Sequence, residues 1–385
     1  MKKFFAAFFL LSIFMLSACK KEAVEPNQGA EITGIITGKV VTPNNRTPVR
    51  HALVFISTAK NLYSTYTDTE GNFSLTAAEG PQELHIQTGN GDKFRTILQV
   101  NVVANQTTAL SDLARLNLVA NLAYLAGSFD KIESILIDSL GYNAQSLNQY
   151  SIQNIAGIVN YDAVFINCGS YNTFVSTNTD TTLANYVAAG GSLYVSDFSM
   201  NFLTGLNALT DCQVPRYSGF IPDSTVCSRR TGTTSVVPQA NIVSPELQYY
   251  LGKNTMSISY NLGGWERIQA IDNNYWETMV TDPADNSPLL IRTHNYTNSN
   301  NLPQFVGTRD SSMVTICHQL PSGHPITITV NANALPAHLA HGDSVGMCNN
   351  TSNAGWIYFT TFHNEHNGQI SEDVKHILEF MILNL

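Results

Sequence analysis

The chain has 385 residues, 43% hydrophobic and 13% charged, long enough for two domains with a core in each. With 20 Lys+Arg against 29 Asp+Glu it carries a net charge of −9, which argues against a nucleic acid partner, since phosphate binding needs clustered basic side chains. High hydrophobic content without heptads or low-complexity blocks excludes collagen-like, coiled-coil and disordered classes.

The N-terminus sets the compartment. Met1-Lys2-Lys3, the apolar run Phe4 to Met15 and the small residues Ser17-Ala18 predict a signal peptide over residues 1–18. Leu16-Ser17-Ala18-Cys19 resembles the bacterial lipobox, which implies that Cys19 becomes a lipid-modified first residue and that the membrane is held through acyl chains. The absence of aspartate after Cys19 points, by the same resemblance, to the outer membrane. Residues 19–33 are polar and read as a tether, and no later apolar run approaches the ~18 residues of a spanning helix.

Outside the cytosol, cysteines pair. Cys212 with Cys227 and Cys317 with Cys348 are the candidate disulfides, which leaves Cys168, at the end of an apolar strand, as a buried thiol.

Residues 34–117 alternate with period two. Ile36–Val40, Ala52–Ile56 and Thr67–Leu75 read as strands with polar turns, which predicts an antiparallel β-sandwich. Pro48-Val49-x-x-Ala52-x-Val54 and Thr67-Asp68-x-x-Gly71-x-Phe73 resemble the carboxypeptidase regulatory-like domain, which implies a transthyretin-like spacer without catalysis. Asp68 and Glu70 are read as turn formers rather than calcium ligands.

From residue 118 to 385 strands alternate with helices. Leu122–Leu125, Asp162–Cys168, Ser192–Asp197 and Gly355–Thr360 are strands. The stripe Phe129, Ile132, Leu136, Leu140 predicts a helix, as do Leu183–Ala189 and Ser371–Leu383, the last capped by Ser371. This predicts a flavodoxin-like, doubly wound α/β domain with ligands beyond the carboxyl ends of its strands.

Tyr161-Asp162-Ala163-Val164, Tyr186 to Leu193 and Phe362-His363-Asn364-Glu365 resemble the class I glutamine amidotransferase-like fold, whose superfamily also includes trehalose-utilisation-type proteins. The resemblance implies His363 as a base and Glu365 as its orienting carboxylate. The turn that should carry the nucleophilic cysteine reads Ser196-Asp197-Phe198-Ser199-Met200-Asn201 and has none. The expectation is therefore a scaffold without amidotransferase chemistry, with Ser199 as the stand-in nucleophile if a hydrolase survives.

Ser287–Thr293 reads as the strand that pairs with Gly355–Thr360, and a small β-rich insert over about 297–353 separates them. It contains strands Val314–His318 and Ile326–Val330, then Ala337-His338-Leu339-Ala340-His341-Gly342-Asp343. His338 and His341 share one face of a helical turn, and Asp343 or His318 would complete a zinc-type set; the competing expectation is no cofactor and a structural motif closed by Cys317 and Cys348. The predicted function is a membrane-anchored, non-catalytic binding protein for a glycan or protein ligand near Asp197, Ser199, His363 and Glu365, where Phe198, Tyr260, Trp265 and Trp276 would stack on sugars. The alternative is a hydrolase using His363 and Glu365 with Ser199 or a metal-bound water.

Overall fold

The computed structural model describes residues 31–58, 61–170, 176–205, 219–222, 224–296, 312–319, 326–340, 342–346, 348, 354–364 and 371–385. The expected signal peptide, Cys19, Cys212, His341 and Glu365 lie outside these residues.

Eight strands form the N-terminal part: β1 (Thr33–Val41), β2 (Leu53–Ser57), β3 (Leu62–Tyr66), β4 (Asn72–Ala78), β5 (Gly80–Gln87), β6 (Arg95–Val102), β7 (Thr107–Ala109) and β8 (Ala114–Arg115). They make a sandwich of two sheets, one ordered β4-β1-β7 with β8 also on β1, the other β3-β2-β5-β6. In β4, Phe73, Leu75 and Ala77 are buried while Asn72, Ser74 and Thr76 are exposed, so the period-two pattern selects the core face. Before β4, the Asp68 carboxylate accepts from the amides of Glu70 and Asn72, and Gly71 takes φ +77° where a side chain would strike Val40 O. Both acidic residues sit in the turn that carries the chain from β3 in one sheet to β4 in the other.

The next strands are β9 (Leu122–Leu125), β10 (Gln145–Leu147), β11 (Ala163–Ile166), β12 (Ser192–Ser196), β13 (Val226–Gly232), β14 (Ser235–Ile242), β15 (Thr255–Tyr260), β16 (Trp265–Ile271), β17 (Glu277–Thr281) and β18 (Pro288–Thr293). After the insert strands β19 (Met313–His318), β20 (Ile326–Asn331) and β21 (Ser344–Val345) comes β22 (Ile357–Thr360). Nine of these form one mixed sheet, ordered β10-β9-β11-β12-β22-β18-β17-β14-β15. The pairings from β10 to β22 are parallel and those from β22 to β15 antiparallel. The sheet is thus mixed rather than purely parallel, because the chain adds hairpins beyond β22, and β13 pairs with β16 as a separate ribbon.

Alternate residues of the parallel strands serve opposite faces. Ala163, Phe165, Tyr194 and Tyr358 join a cluster with Ile377, Leu378 and Met381 of helix Glu372–Leu383. Val164, Ile166, Leu193, Val195, Ile357 and Phe359 join another with Leu183 and Val187 of helix Thr177–Ala188. Continuous apolar runs follow from burial on both faces.

Two helices differ from expectation. Helix Thr177–Ala188 starts well before Leu183, with the Ser176 hydroxyl accepting from the Thr179 amide, because capping outweighs the weak helix propensity of the polar first turns. The Phe129–Leu140 stripe gives a wide π-type helix only over Ser134–Ser139, with Leu140 N–H bonded to Ile135 O. Phe129 is instead exposed in a loop whose amides, with that of Asp130, reach Cys168 O.

Between β18 and β22 the chain forms a three-stranded sheet, β20-β19-β21, and the short helix Leu335–Ala340. Ile316, Ile328 and Val330 of this sheet pack on Leu53 and Phe55 of β2. Gln87 ties the two together, donating to Thr327 O and accepting from the Thr329 amide. No helix among the described residues is long and apolar enough to cross a membrane.

Candidate functional site

Parallel order puts the carboxyl ends of β11, β12 and β22 side by side, and a polar residue follows each. Cys168 follows β11, Asp197 follows β12 and His363 follows β22. Asp197 Oδ2 lies 3.5 Å from Cys168 Sγ and 3.5 Å from His363 Nε2. Asp197 holds φ +44°, a left-handed conformation that Asp tolerates better than most residues, and it opens a 3₁₀ turn to Met200. The sharp turn after β12 therefore exists, and an acidic residue stands at it.

A second layer fixes the first. Asp197 Oδ1 accepts from the Glu266 amide at 2.5 Å. The Ser196 hydroxyl accepts from the Cys168 amide at 2.9 Å and donates to Asp130 at 2.5 Å. Asp130 in turn accepts from the amides of Lys131 and Asn364. Burial raises the Asp130 carboxyl to about 6, against the opposing pull of His363 and its hydrogen bonds. Burial and the neighbouring Asp197 push the Cys168 thiol well above its usual range, so on these residues alone it stays protonated and a poor nucleophile. The Ser199 hydroxyl donates to Asn167 O at 2.7 Å, so its proton is committed to a backbone carbonyl.

Cys168, Asp130, Ser196, Asp197 and Ser199 are fully buried, and His363 is 8% exposed. The cavity beside Asp197 and His363 measures about 10 Å³, room for about one water molecule rather than a substrate. Of the aromatic residues considered for sugar stacking, Tyr260, Trp265 and Trp276 are buried in the core, and Phe198 lies beneath the Arg230 guanidinium.

The insert brings together His318, His338 and Asp343. Asp343 Oδ2 lies 2.6 Å from His318 Nδ1 and 2.7 Å from His338 Nδ1. These are direct hydrogen-bond spacings, shorter than the about 3.3 Å between donors sharing a tetrahedral zinc at 2.0–2.1 Å. Burial opposes the Asp343 charge, yet bonds from His318, the Gln319 amide and His338 hold its pKa below the usual carboxylate range. Nε2 of His338 faces the Ser57 hydroxyl, 2.9 Å away at the end of β2. Ser57, His338 and Asp343 thus form a hydroxyl–imidazole–carboxylate relay across two parts of the fold. The Cys317–Cys348 disulfide closes this insert, and Cys227 is also disulfide-bonded.

A cavity of about 490 Å³ opens where the sandwich, the insert and the mixed sheet meet. Tyr66, His51 and Gln87 line it from the sandwich, Thr327 from the insert, and Glu246, Glu277, Arg292 and Trp356 from the mixed-sheet part. Arg292 bonds Glu246 at 2.9 Å and Glu277 at 2.7 Å, with its guanidinium 4.9 Å from the Trp356 ring. Burial lowers His51 to about 4, and burial with Arg292 lowers His294, so both rings favour the neutral form near neutral pH.

Sequence reasoning singled out Asp197 and His363 but not Asp130, Ser196 or Cys168 as their partners. The available signal was that strands of a parallel sheet end on one edge. The junction cavity left no motif, because its walls come from separate sequence regions. No protein-family model matches the chain, and no curated protein matches it.

Proposed function

We propose that the chain is an exported, lipid-anchored binding protein that holds a neutral glycan in the junction cavity. The lining of that cavity carries the reading: about 490 Å³ lies in the range of ligand sites, and it combines aromatic rings with fixed polar groups. A sugar ring would lie on Trp356 or Tyr66, with its hydroxyls donating to Glu246 and Glu277. One arginine against two glutamates disfavours an anionic ligand.

The lipobox resemblance supports an anchor at Cys19, and the sandwich suits a spacer. The order β10-β9-β11-β12-β22, which is 2-1-3-4-5 in chain order, supports the flavodoxin-like reading of the parallel half. The ligand moves from the carboxyl edge to the junction because the edge has space for one water.

Titration calorimetry with neutral oligosaccharides tests this. Binding that falls at least about tenfold in Trp356→Ala and Glu277→Gln is the expected result. A chain that binds none of a broad panel of neutral glycans, or binds them equally well in both variants, ends the proposal.

A second reading, hydrolase chemistry, rests on the relay at Ser57 rather than on Ser199. It requires a fluorophosphonate probe to label Ser57 in the native chain and to fail in His338→Ala.

A further inference from the structure

We infer that Cys168, Asp197 and His363 form a binding site for a zinc-class divalent cation, with one water as the fourth ligand. Thiolate, carboxylate and imidazole are each zinc donors, and a three-residue set with water completes a tetrahedron. Donors about 2.0–2.3 Å from a shared tetrahedral ion stand about 3.3–3.8 Å apart. Asp197 Oδ2 lies 3.5 Å from both Cys168 Sγ and His363 Nε2. The imidazole spacing is too long for a good direct hydrogen bond and suits an ion between the groups. All three ligand atoms lie within 4.8 Å of one another. This distinguishes the cluster from His318, His338 and Asp343, whose 2.6 and 2.7 Å spacings leave no room for an ion between donors.

Four further observations converge on this site. Asp130 and Asp197 are both 0% exposed, and a divalent cation would offset the cost of burying two carboxylates side by side in the fold. Asp197 is held at φ +44°, a costly backbone state that aims its carboxylate between the other two strand ends. Its Oδ1 is fixed by the Glu266 amide, leaving Oδ2 for the ion, as outer contacts orient metal ligands elsewhere. The cavity of about 10 Å³ against Asp197 and His363 has room for one water as the fourth ligand.

Binding deprotonates the Cys168 thiol, whose proton leaves to solvent, and takes the Nε2 lone pair of His363. The site is closed, so the ion would lock the ends of β11, β12 and β22 together rather than meet a substrate.

The full chain, stripped with a chelator, is titrated with zinc and, separately, with cobalt. The expected result is one equivalent bound, a thiolate-to-cobalt charge-transfer band, and a zinc-dependent rise in unfolding temperature. Cys168→Ser abolishes the band, and both it and Asp197→Asn weaken binding at least about tenfold, while His338→Ala leaves it unchanged. Two results overturn the site: no zinc-dependent rise in the wild-type chain, which needs no variant to fold, or binding lost in His338→Ala and retained in Cys168→Ser.

Discussion

The Ser57 hydroxyl and Nε2 of His338 lie 2.9 Å apart, joining the last residue of β2 to the short helix of the insert. Beyond His338, Nδ1 meets Asp343, which also takes His318, so one carboxylate organises the insert and one imidazole carries that order to the sandwich. Around this contact lie Leu53, Phe55, Ile316, Ile328 and Val330. His338→Leu keeps the bulk but leaves the Ser57 hydroxyl and one lobe of Asp343 without their partner. We expect a loss of about 1–3 kcal/mol in urea unfolding, and faster proteolysis of the insert than of the mixed sheet. An unchanged midpoint would show that the apolar contacts alone hold the insert.

Acid acts on the same junction through His85, which is stacked on Phe55 with ring centroids 4.8 Å apart. Burial lowers its pKa from 6.5 to about 4, against a smaller opposing pull from Glu83. The unfolded chain takes up this proton near 6.5 while the folded chain refuses it until about 4. The contribution of His85 is therefore complete above pH 6.5 and is lost as pH falls from 6.5 to about 4, amounting to at most about 3 kcal/mol. Asp343, with its lowered pKa, adds a further loss below the ordinary carboxylate range. In His85→Leu, stability between those two pH values should fall less steeply than in the wild type; parallel curves would refute this account.

Much of the fold was legible because it follows from local patterns. Alternation in Asn72–Ala78, apolar runs in Ala163–Ile166 and Ser192–Ser196, and the Ser371 cap each state a secondary structure without help from distant residues. The antiparallel extension β18-β17-β14-β15 was not foreseen as one sheet, because strand partnership depends on tertiary packing. Phe129 belonged to a helical stripe by spacing, yet its amide and that of Asp130 are taken by Cys168 O, a competition invisible in the sequence. For the site, His363 and Asp197 were marked by motif position, whereas Cys168 looked like packing because its neighbours Val164 to Ile166 are apolar. Only the parallel register makes the three meet.

The Cys317–Cys348 disulfide spans 31 residues. Closing a loop of that length removes unfolded-state entropy worth about 3–4 kcal/mol in the chain-entropy model. The Cys317→Ser/Cys348→Ser double variant should expose the β19–β21 region to proteolysis at temperatures where the mixed sheet stays intact. Identical protection of that region in both proteins would mean that the Gln87 bonds to Thr327 and Thr329 suffice to hold it.

At Asp197 the backbone itself can be tested. A residue at φ +44° is strained for any L side chain, least for Asn and Asp and most for a β-branched one. Asp197→Asn keeps both the tolerated conformation and an oxygen to accept the Glu266 amide, so it should fold with an unfolding midpoint close to the wild type in chelator-treated protein. Asp197→Val has neither and faces burial between β11 and β22, so a loss of at least about 2–3 kcal/mol is expected. Asp197→Gly separates the two terms: it removes the conformational strain and also the acceptor for Glu266 N–H. If Gly is as damaging as Val, the hydrogen bond dominates; if Gly matches Asn, the strained turn dominates. Should Val match Asn, the left-handed turn after β12 would be absent in solution, and with it the geometry that brings this carboxylate to Cys168 and His363.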